Sequence, residues 1–338
     1  MKFRLPSLHK LSPVFTIVVF GFAIWVIVFE LRDHPLSQII AKLRGIETSK
    51  ILFALCFVLP GLLALACYDV VAAWYLRLGI GWWRPLFTGL LGYSISNTTG
   101  HAIIVGGLLR LRIYPRWGVT GKQVGEIVGF GVLTYYLGLS VTAAAAFIFE
   151  GGDLAEVLSK VPGIGAIIGH MWFRILVPVV LLVGVIGWFF LLFFRRTPIK
   201  FRKHEFRLPH PGVGFLQIIV SMADFTMAAT VLYILLPNHH DLEWVSFVGI
   251  FAVVQFASLM SGVPGGVGVF AGIMLIILRP TDPSQAELFA SLIAFRVLYY
   301  FLPFIIGGLA FLGLVIRQNI HRRQEAPEAV QEVESADS

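Results

Sequence analysis

Charge is scarce in this sequence. Asp, Glu, Lys and Arg make up 13% of its 338 residues, about half of the roughly 25% usual in soluble domains. That excludes a soluble globular enzyme, whose surface this chain could not cover. Cysteine is scarcer still: Cys56 and Cys67 are the two present, in one apolar run. On a helix they stand about 16 Å apart along the axis, beyond disulfide reach, so both read as small buried hydrophobes. The sequence has no Walker A pattern, no His-Glu-x-x-His pair and no Gly-x-Gly-x-x-Gly after a strand, which removes the common nucleotide and zinc-hydrolase signatures. His239 and His240 read as a short polar loop. No catalytic residue, cofactor or metal is expected.

What is abundant is apolar surface: 57% of residues are hydrophobic and mean hydropathy is +0.84. A membrane span needs about 20 apolar residues. Eight stretches qualify: Val14–Leu31, Ile51–Leu78, Leu86–Leu109, Gln123–Phe149, Trp172–Phe194, Val213–Leu236, Val245–Leu278 and Glu287–Ile316. The fold class is therefore an all-α polytopic membrane protein. The formal net charge of +7 would suit a nucleic-acid partner elsewhere. Here the cations lie in short loops beside apolar runs, where they set topology, and no nucleic acid is expected. The first run follows Lys2, Arg4 and Lys10. It is long for a signal peptide and lacks a small-residue cleavage site, so it reads as an uncleaved span.

Two of the eight runs are interrupted. The third carries Ser94, Ser96, Asn97, Thr98, Thr99, Gly100 and His101 at its middle, and the seventh carries Ser261, Gly262, Pro264, Gly265, Gly266 and Gly268. Such residues free backbone groups that lipid cannot satisfy. Each run is expected to be two short helices joined at a non-helical tip, Asn97-Thr98-Thr99-Gly100 in one and Pro264-Gly265-Gly266 in the other. Adding 164 to a first-half position lands on its counterpart: Asn97 on Ser261, Thr120 on Ser284, Tyr135-Tyr136 on Tyr299-Tyr300. Broken segments at matched positions suit a transporter built of two repeats.

Cation asymmetry orients the chain. The segment Arg195–Arg207 holds six Lys/Arg and one acid, which places it in the cytoplasm; the acidic stretches 150–171 and 237–243 belong outside. Both termini then face the cytoplasm. Eighteen of the 26 Lys/Arg lie inside, seven outside, and Arg296 lies within a span. This topology makes each broken run a re-entrant hairpin. Each half has three crossing helices plus one hairpin, and the two repeats are inverted. Eight full crossings with parallel repeats is the alternative. The organisation is a cytoplasmic N-terminal segment 1–13, a first membrane repeat 14–164, a second membrane repeat 165–320 and a disordered, acidic cytoplasmic tail 321–338, too polar to bury a core.

Ionisable residues inside apolar runs mark function by default. Asp69 and Asp224 fall at similar depth in the inner half of the bilayer, near Arg110 and Arg112 at the end of the first hairpin. Glu126 opens the fourth run and Arg296 lies inside the eighth. Asp69, Arg110 and Asp224 are expected to line one hydrated cavity open to the cytoplasm. Bracing of helices by structural ion pairs is the alternative. The aromatic doublets Trp74-Tyr75, Trp82-Trp83, Tyr135-Tyr136 and Tyr299-Tyr300 read as interfacial anchors.

Several of these motifs carry a resemblance. Tyr68-Asp69-Val70-Val71-Ala72, the stretch from Gly92 to His101, and Gly106-Gly107-Leu108-Leu109-Arg110 resemble the membrane domain of the bacterial multiple peptide resistance factor (MprF), also described as the lysylphosphatidylglycerol synthase transmembrane or flippase-like family. Ala223-Asp224-Phe225, Pro264-Gly265-Gly266-Val267-Gly268-Val269-Phe270 and Arg296-Val297-Leu298-Tyr299-Tyr300 are similar to its second-half motifs, and the likeness spans about residues 10–320. The resemblance implies a non-enzymatic flippase moving aminoacylated phosphatidylglycerol, or a related lipid, between leaflets of the bacterial inner membrane. The family's soluble acyltransferase domain is not seen here. Ala271 stands where a glutamate is common in the family. The expected headgroup-binding set is Asp69, Asn97, His101, Arg110, Arg112, Glu126, Asp224 and Arg296. Membrane phospholipids are the expected partners. A lipid-modifying enzyme and a second copy in a homodimer are further candidates. An ion or small-solute transporter, or a non-transporting partner of a lipid-modifying enzyme, are the alternative functions.

Overall fold

The computed structural model describes residues 44–99, 102–149, 170–195, 199–201, 204–206, 208–237, 242–260, 268–278 and 285–317. The run Val14–Leu31, Gly100, His101, Pro264, Gly265, Gly266 and the tail lie outside them.

The first half contains α1 (Thr48–Tyr75), α2 (Trp83–Thr99), α3 (Ala102–Ile113), a 3-10 turn (Tyr114–Trp117) and α4 (Gly121–Phe149). Next comes α5 (Met171–Phe194), followed by a small antiparallel pair, β1 (Ile199–Phe201) and β2 (His204–Phe206), with Lys200 opposite Glu205. The second half has α6 (Pro211–Leu235), α7 (Trp244–Met260), α8 (Val269–Ile277) and α9 (Gln285–Arg296). After α9 the backbone makes a π turn, Val297–Phe301, and continues as α10, 302–317. Among the described residues the architecture is all-helical apart from the β1–β2 pair. Among the described residues five helices are long and apolar enough to cross a membrane: Thr48–Tyr75, Gly121–Phe149, Ile175–Phe194, Pro211–Leu235 and Glu287–Arg317.

Local chemistry explains several boundaries. Thr120 and Gln123 form a reciprocal capping box before α4: the Thr120 N–H donates to Gln123 Oε1 at 2.9 Å, and the Gln123 N–H donates to Thr120 Oγ1 at 3.3 Å. Two otherwise orphaned donors are satisfied together. At α6, Pro211 takes the first helical position and the Gly212 N–H donates to His210 Nδ1 at 3.2 Å. Pro has no N–H to lose there. Gly118 closes the 3-10 turn at φ 79°, a conformation that favours glycine.

Each interrupted run contains two helices, and in the third run the helix persists further than the residue types suggest. Asn97, Thr98 and Thr99 were expected to form a non-helical tip. They belong to α2, which is described through Thr99, and α3 begins at Ala102. The reason is tertiary: Thr98 Oγ1 donates to the Tyr300 carbonyl in the π turn at 3.2 Å, so the side chain is satisfied without unwinding its own helix. α2 and α3 fold back on one another. A Cβ at Gly92 would lie 3.0 Å from Arg110, and one at Gly106 would lie 3.2 Å from Ser96 Oγ, the opposed pairing of an antiparallel hairpin. α7 runs through Met260, and α8 begins after Gly268, which has φ 80°. Phe251 of α7 meets Phe270 of α8 at 5.4 Å.

Helix order repeats across the halves. α1, α2, α3 and α4 have 28, 17, 12 and 29 residues; α6, α7 and α8 have 25, 17 and 9, and the last span has 31. α1 and α6, matched by the 164-residue offset, make the most extensive helix pair among the described residues. The main core lies around them, with Val58, Phe225, Phe251, Met274 and Phe295 buried. Small residues permit close approach. A Cβ on Gly89 would sit 2.8 Å from the Ala66 carbonyl, and one on Gly138 would overlap Ser221. The outer faces stay apolar: Leu59 of α1, Val183, Ile186 and Phe190 of α5 and Leu309 of α10 are all exposed. Such a belt suits lipid contact. It also corrects the reading of Cys56, which is exposed on this face, while Cys67 is half-buried.

Candidate functional site

Two carboxylates lie inside the helix bundle, each with its own set of partners. Asp69, on α1, is 1% exposed and Arg110, on α3, is 3% exposed. The guanidinium grips the carboxylate as a fork: Nη2 donates to Oδ1 at 2.6 Å and Nε donates to Oδ2 at 2.9 Å. The Tyr114 hydroxyl donates to Oδ2 at 2.8 Å. Paired N–H donors of this kind give the strongest protein ion pairs. The arginine fits because the hairpin offers a slot without side chains. Cβ atoms at Gly92 and Gly106 would lie 3.0 and 2.8 Å from Arg110 Nη1. The Tyr93 ring closes the slot, with the guanidinium carbon 4.4 Å from its centroid, a cation–π contact.

From Tyr93 the cluster continues to the second acid. Tyr93 meets Tyr68 edge-on at 5.8 Å, and the Tyr68 hydroxyl donates to Asp224 Oδ2 at 3.1 Å. Asp224, on α6, is 5% exposed. Its Oδ1 accepts from the Tyr299 hydroxyl at 3.2 Å, and Tyr299 stacks on Phe295 at 5.5 Å. Asp69, Arg110, Tyr93, Tyr68, Asp224 and Tyr299 therefore form one buried array linking both halves. Neighbouring positions 68 and 69 point apart because helical side chains rotate about 100° per residue.

Asp69, Arg110 and Asp224 are 1%, 3% and 5% exposed; Asp69 and Arg110 lie against each other and Tyr114, and Asp224 lies against Tyr68 and Tyr299. A cavity of about 930 Å³ lies at the ends of α1, α4 and α6, with Trp74, Arg77, Trp82, Glu126 and His210 in its wall. Glu126 also faces Lys122 at 3.6 Å, one turn earlier on α4.

Other expected site residues fall elsewhere. The Arg112 guanidinium lies 5.6 Å from the Phe311 ring centroid, away from the two acids. Asn97 is half-buried on α2 and Arg296 half-buried at the end of α9; neither bonds to Asp69 or Asp224. His101 lies outside the described residues. Among the described residues no three or more of His, Cys, Asp and Glu could hold a metal.

Tyr68, Tyr93, Tyr114 and Tyr299 were missed by the sequence reading. Tyr299 was taken with its neighbour as an interfacial anchor, yet it is buried. The doublet Tyr135-Tyr136 splits: Tyr135 accepts a hydrogen bond from Gln255 Nε2 at 3.1 Å, while Tyr136 is exposed. Trp74, Trp82 and Trp83 are exposed, as anchors would be. A phenol flanking an intramembrane acid was a usable signal at Tyr68. For Tyr299 the sequence offered none.

No family model matches the chain. It is 28% identical over 94% of its length to the uncharacterized protein slr0712 of Synechocystis, covering 95% of that protein. It is 22% identical over 91% of its length to the inner membrane protein YbhN of Escherichia coli, covering 94% of it. It is 25% identical over 97% of its length to the phosphatidylglycerol lysyltransferase of Bacillus subtilis, but spans only 37% of that enzyme. The Staphylococcus aureus enzyme of the same name behaves alike, with 24% identity and 33% of its length covered. These homologues agree with the resemblance to the membrane domain of the multiple peptide resistance factor.

Proposed function

We propose that this multi-pass membrane protein moves phospholipids between the leaflets of a bacterial inner membrane. Anionic phosphatidylglycerol or its aminoacyl derivatives are the substrate class. Its action is transport; the chain matches about a third of the length of the lysyltransferases. Its halves are inverted repeats, the α2–α3 and α7–α8 pairs are re-entrant hairpins, and both termini face the cytoplasm.

The observation that carries the reading is the Asp69–Arg110 fork at the root of the α2–α3 hairpin. A guanidinium that holds a carboxylate through two N–H groups can hold a lipid phosphate through the same two. The resting pair keeps Arg110 ionised inside the membrane, where a lone charge costs several kcal/mol. An arriving phosphodiester displaces Asp69 from Arg110, and Asp69 is freed to attract the ammonium of an aminoacyl headgroup. Acyl chains remain in lipid while the headgroup passes along the hairpin. Asn97, His101, Arg112, Glu126 and Arg296 are the further candidates along the path.

The test is lipid translocation by the purified full chain in proteoliposomes, with labelled phosphatidylglycerol and lysyl-phosphatidylglycerol in one leaflet. Arg110→Lys keeps the charge and loses the fork, so translocation should collapse while the protein stays folded. Unchanged translocation in this variant would reject the role of Arg110.

A second reading is a non-transporting partner of a lipid-modifying enzyme. The closure of the Asp69–Arg110 pair favours it, because a brace between helices needs no water and no exchange. It expects wild-type protein that is folded yet moves no lipid.

A further inference from the structure

The two buried acids differ in the company they keep. Asp69 faces a cation. Among the described residues Asp224 accepts from two phenols and nothing else. The ionisable groups around Asp224 come from several elements. α1 supplies Tyr68, α2 supplies Tyr93 behind it, and α3 supplies Arg110, committed to Asp69. α4 contributes Tyr135, whose ring lies 5.0 Å from that of Phe225. The π turn contributes Tyr299 and Tyr300, and α9 ends on Arg296, beside Tyr300.

A phenol hydroxyl can donate its hydrogen and can also accept at its oxygen. An ionised Asp224 accepts from both Tyr68 and Tyr299. A protonated Asp224 donates its own hydrogen to one phenol oxygen and still accepts from the other. The carboxyl group thus keeps two partners in either state, whereas Asp69 would lose the Arg110 fork on protonation. An ionised carboxylate without a counter-charge is expensive in an apolar interior, so gain of a proton there is chemically easy. The change also has mechanical leverage. Asp224 ties α6 to α1 through Tyr68 and to the last span through Tyr299. Tyr299 sits within the π turn, an insertion that often marks functional sites in helices. Gly61 makes room for it: a Cβ there would lie 2.8 Å from the Tyr299 hydroxyl.

We infer that Asp224, held by Tyr68 and Tyr299, is a proton-binding site and that lipid translocation is coupled to its protonation. Asp224 takes up a proton from one aqueous face, which turns its charge-assisted hydrogen bonds into weaker neutral ones and so loosens the three-helix tie. It releases that proton to the other face as the tie re-forms. Its ligand is the proton, and the headgroup is left to Asp69 and Arg110. This inference rests on the lipid-translocation reading.

The experiment has two arms on the full-length protein. In lipid nanodiscs, infrared difference spectra across roughly pH 5 to 9 should show a protonated-carboxyl band that titrates in the wild type and is lost in Asp224→Asn. Tyr299→Phe keeps the carboxyl, removes one phenol and should move the midpoint. In proteoliposomes, a transmembrane pH gradient should drive net movement of labelled phosphatidylglycerol by the wild type. Asp224→Asn should lose the response to the gradient and keep gradient-independent exchange. No Asp224-dependent band, or a gradient response that survives Asp224→Asn, overturns the inference. A titrating band with no lipid movement by the wild type refutes coupling to lipid and removes the translocation reading, while leaving the proton site standing.

Discussion

Removing one member of the Asp69–Arg110 pair should cost more stability than removing both. The two side chains are 1% and 3% exposed, so neither has water to fall back on. Arg110→Met fills the slot between Gly92 and Gly106 with an unbranched apolar chain. Asp69 is then left with Tyr114 as its one remaining partner. Breaking a buried ion pair from one side costs about 3–5 kcal/mol. Asp69→Asn leaves the guanidinium over the Tyr93 ring, a contact worth about 0.5–2 kcal/mol, so its cost should fall nearer the lower end. The double variant has no stranded charge and should return to within about 2 kcal/mol of wild type, since apolar replacement of buried pairs is often close to neutral. The readout is unfolding of the purified full chain in mixed micelles, with all four proteins compared as a cycle. A coupling energy of at least about 2 kcal/mol is expected for residues in direct contact. Single effects that simply add in the double variant, within about 0.5 kcal/mol, would refute the reasoning. The same double variant should be stable and unable to move lipid, which separates bracing from transport.

Gly138→Ala should destabilise by about 1–3 kcal/mol, the usual cost of overpacking, because the added carbon overlaps Ser221 of α6; thermal unfolding would show no change if α4 and α6 were free to part. Thr120→Ala removes a capping box and should cost about 0.5–2 kcal/mol in the same assay. Cysteines introduced singly at 153 and 239 should react with an impermeant reagent from outside, and one replacing Lys203 should not; external labelling at 203 would reverse the proposed orientation. Gly106→Ala should displace the Arg110 guanidinium, whose Nη1 lies 2.8 Å from where the new carbon would sit, and lower both stability and lipid translocation.

Much of the architecture was legible in the chain because the bilayer imposes a length. Runs such as Gln123–Phe149 and Val213–Leu236 nearly coincide with α4 and α6. The interruption of the third run was legible too, from the crowd of small polar residues between Ser94 and His101. Its position was not. Asn97 to Thr99 look like a break by composition, and remain helical because Thr98 finds the Tyr300 carbonyl 202 residues away. Asp69, Arg110 and Asp224 stood out as polar residues where none should be free. Their partners did not, since tyrosines are common at membrane surfaces and carry no mark of depth.

By itself the sequence determined the class, the approximate spans and the identity of the acids inside apolar runs. These follow from hydropathy and spacing, which are local. Only the tertiary structure decided which acid received the arginine. Asp69 and Arg110 are 41 residues apart, and the fork exists because glycines at 92 and 106 let the guanidinium lie between two helices. Only the fold, likewise, gave Asp224 two phenols from positions 68 and 299. Whether a buried carboxylate is locked as an ion or free to take a proton depends on the groups within about 3 Å of it, and those groups come from helices that the chain order keeps far apart.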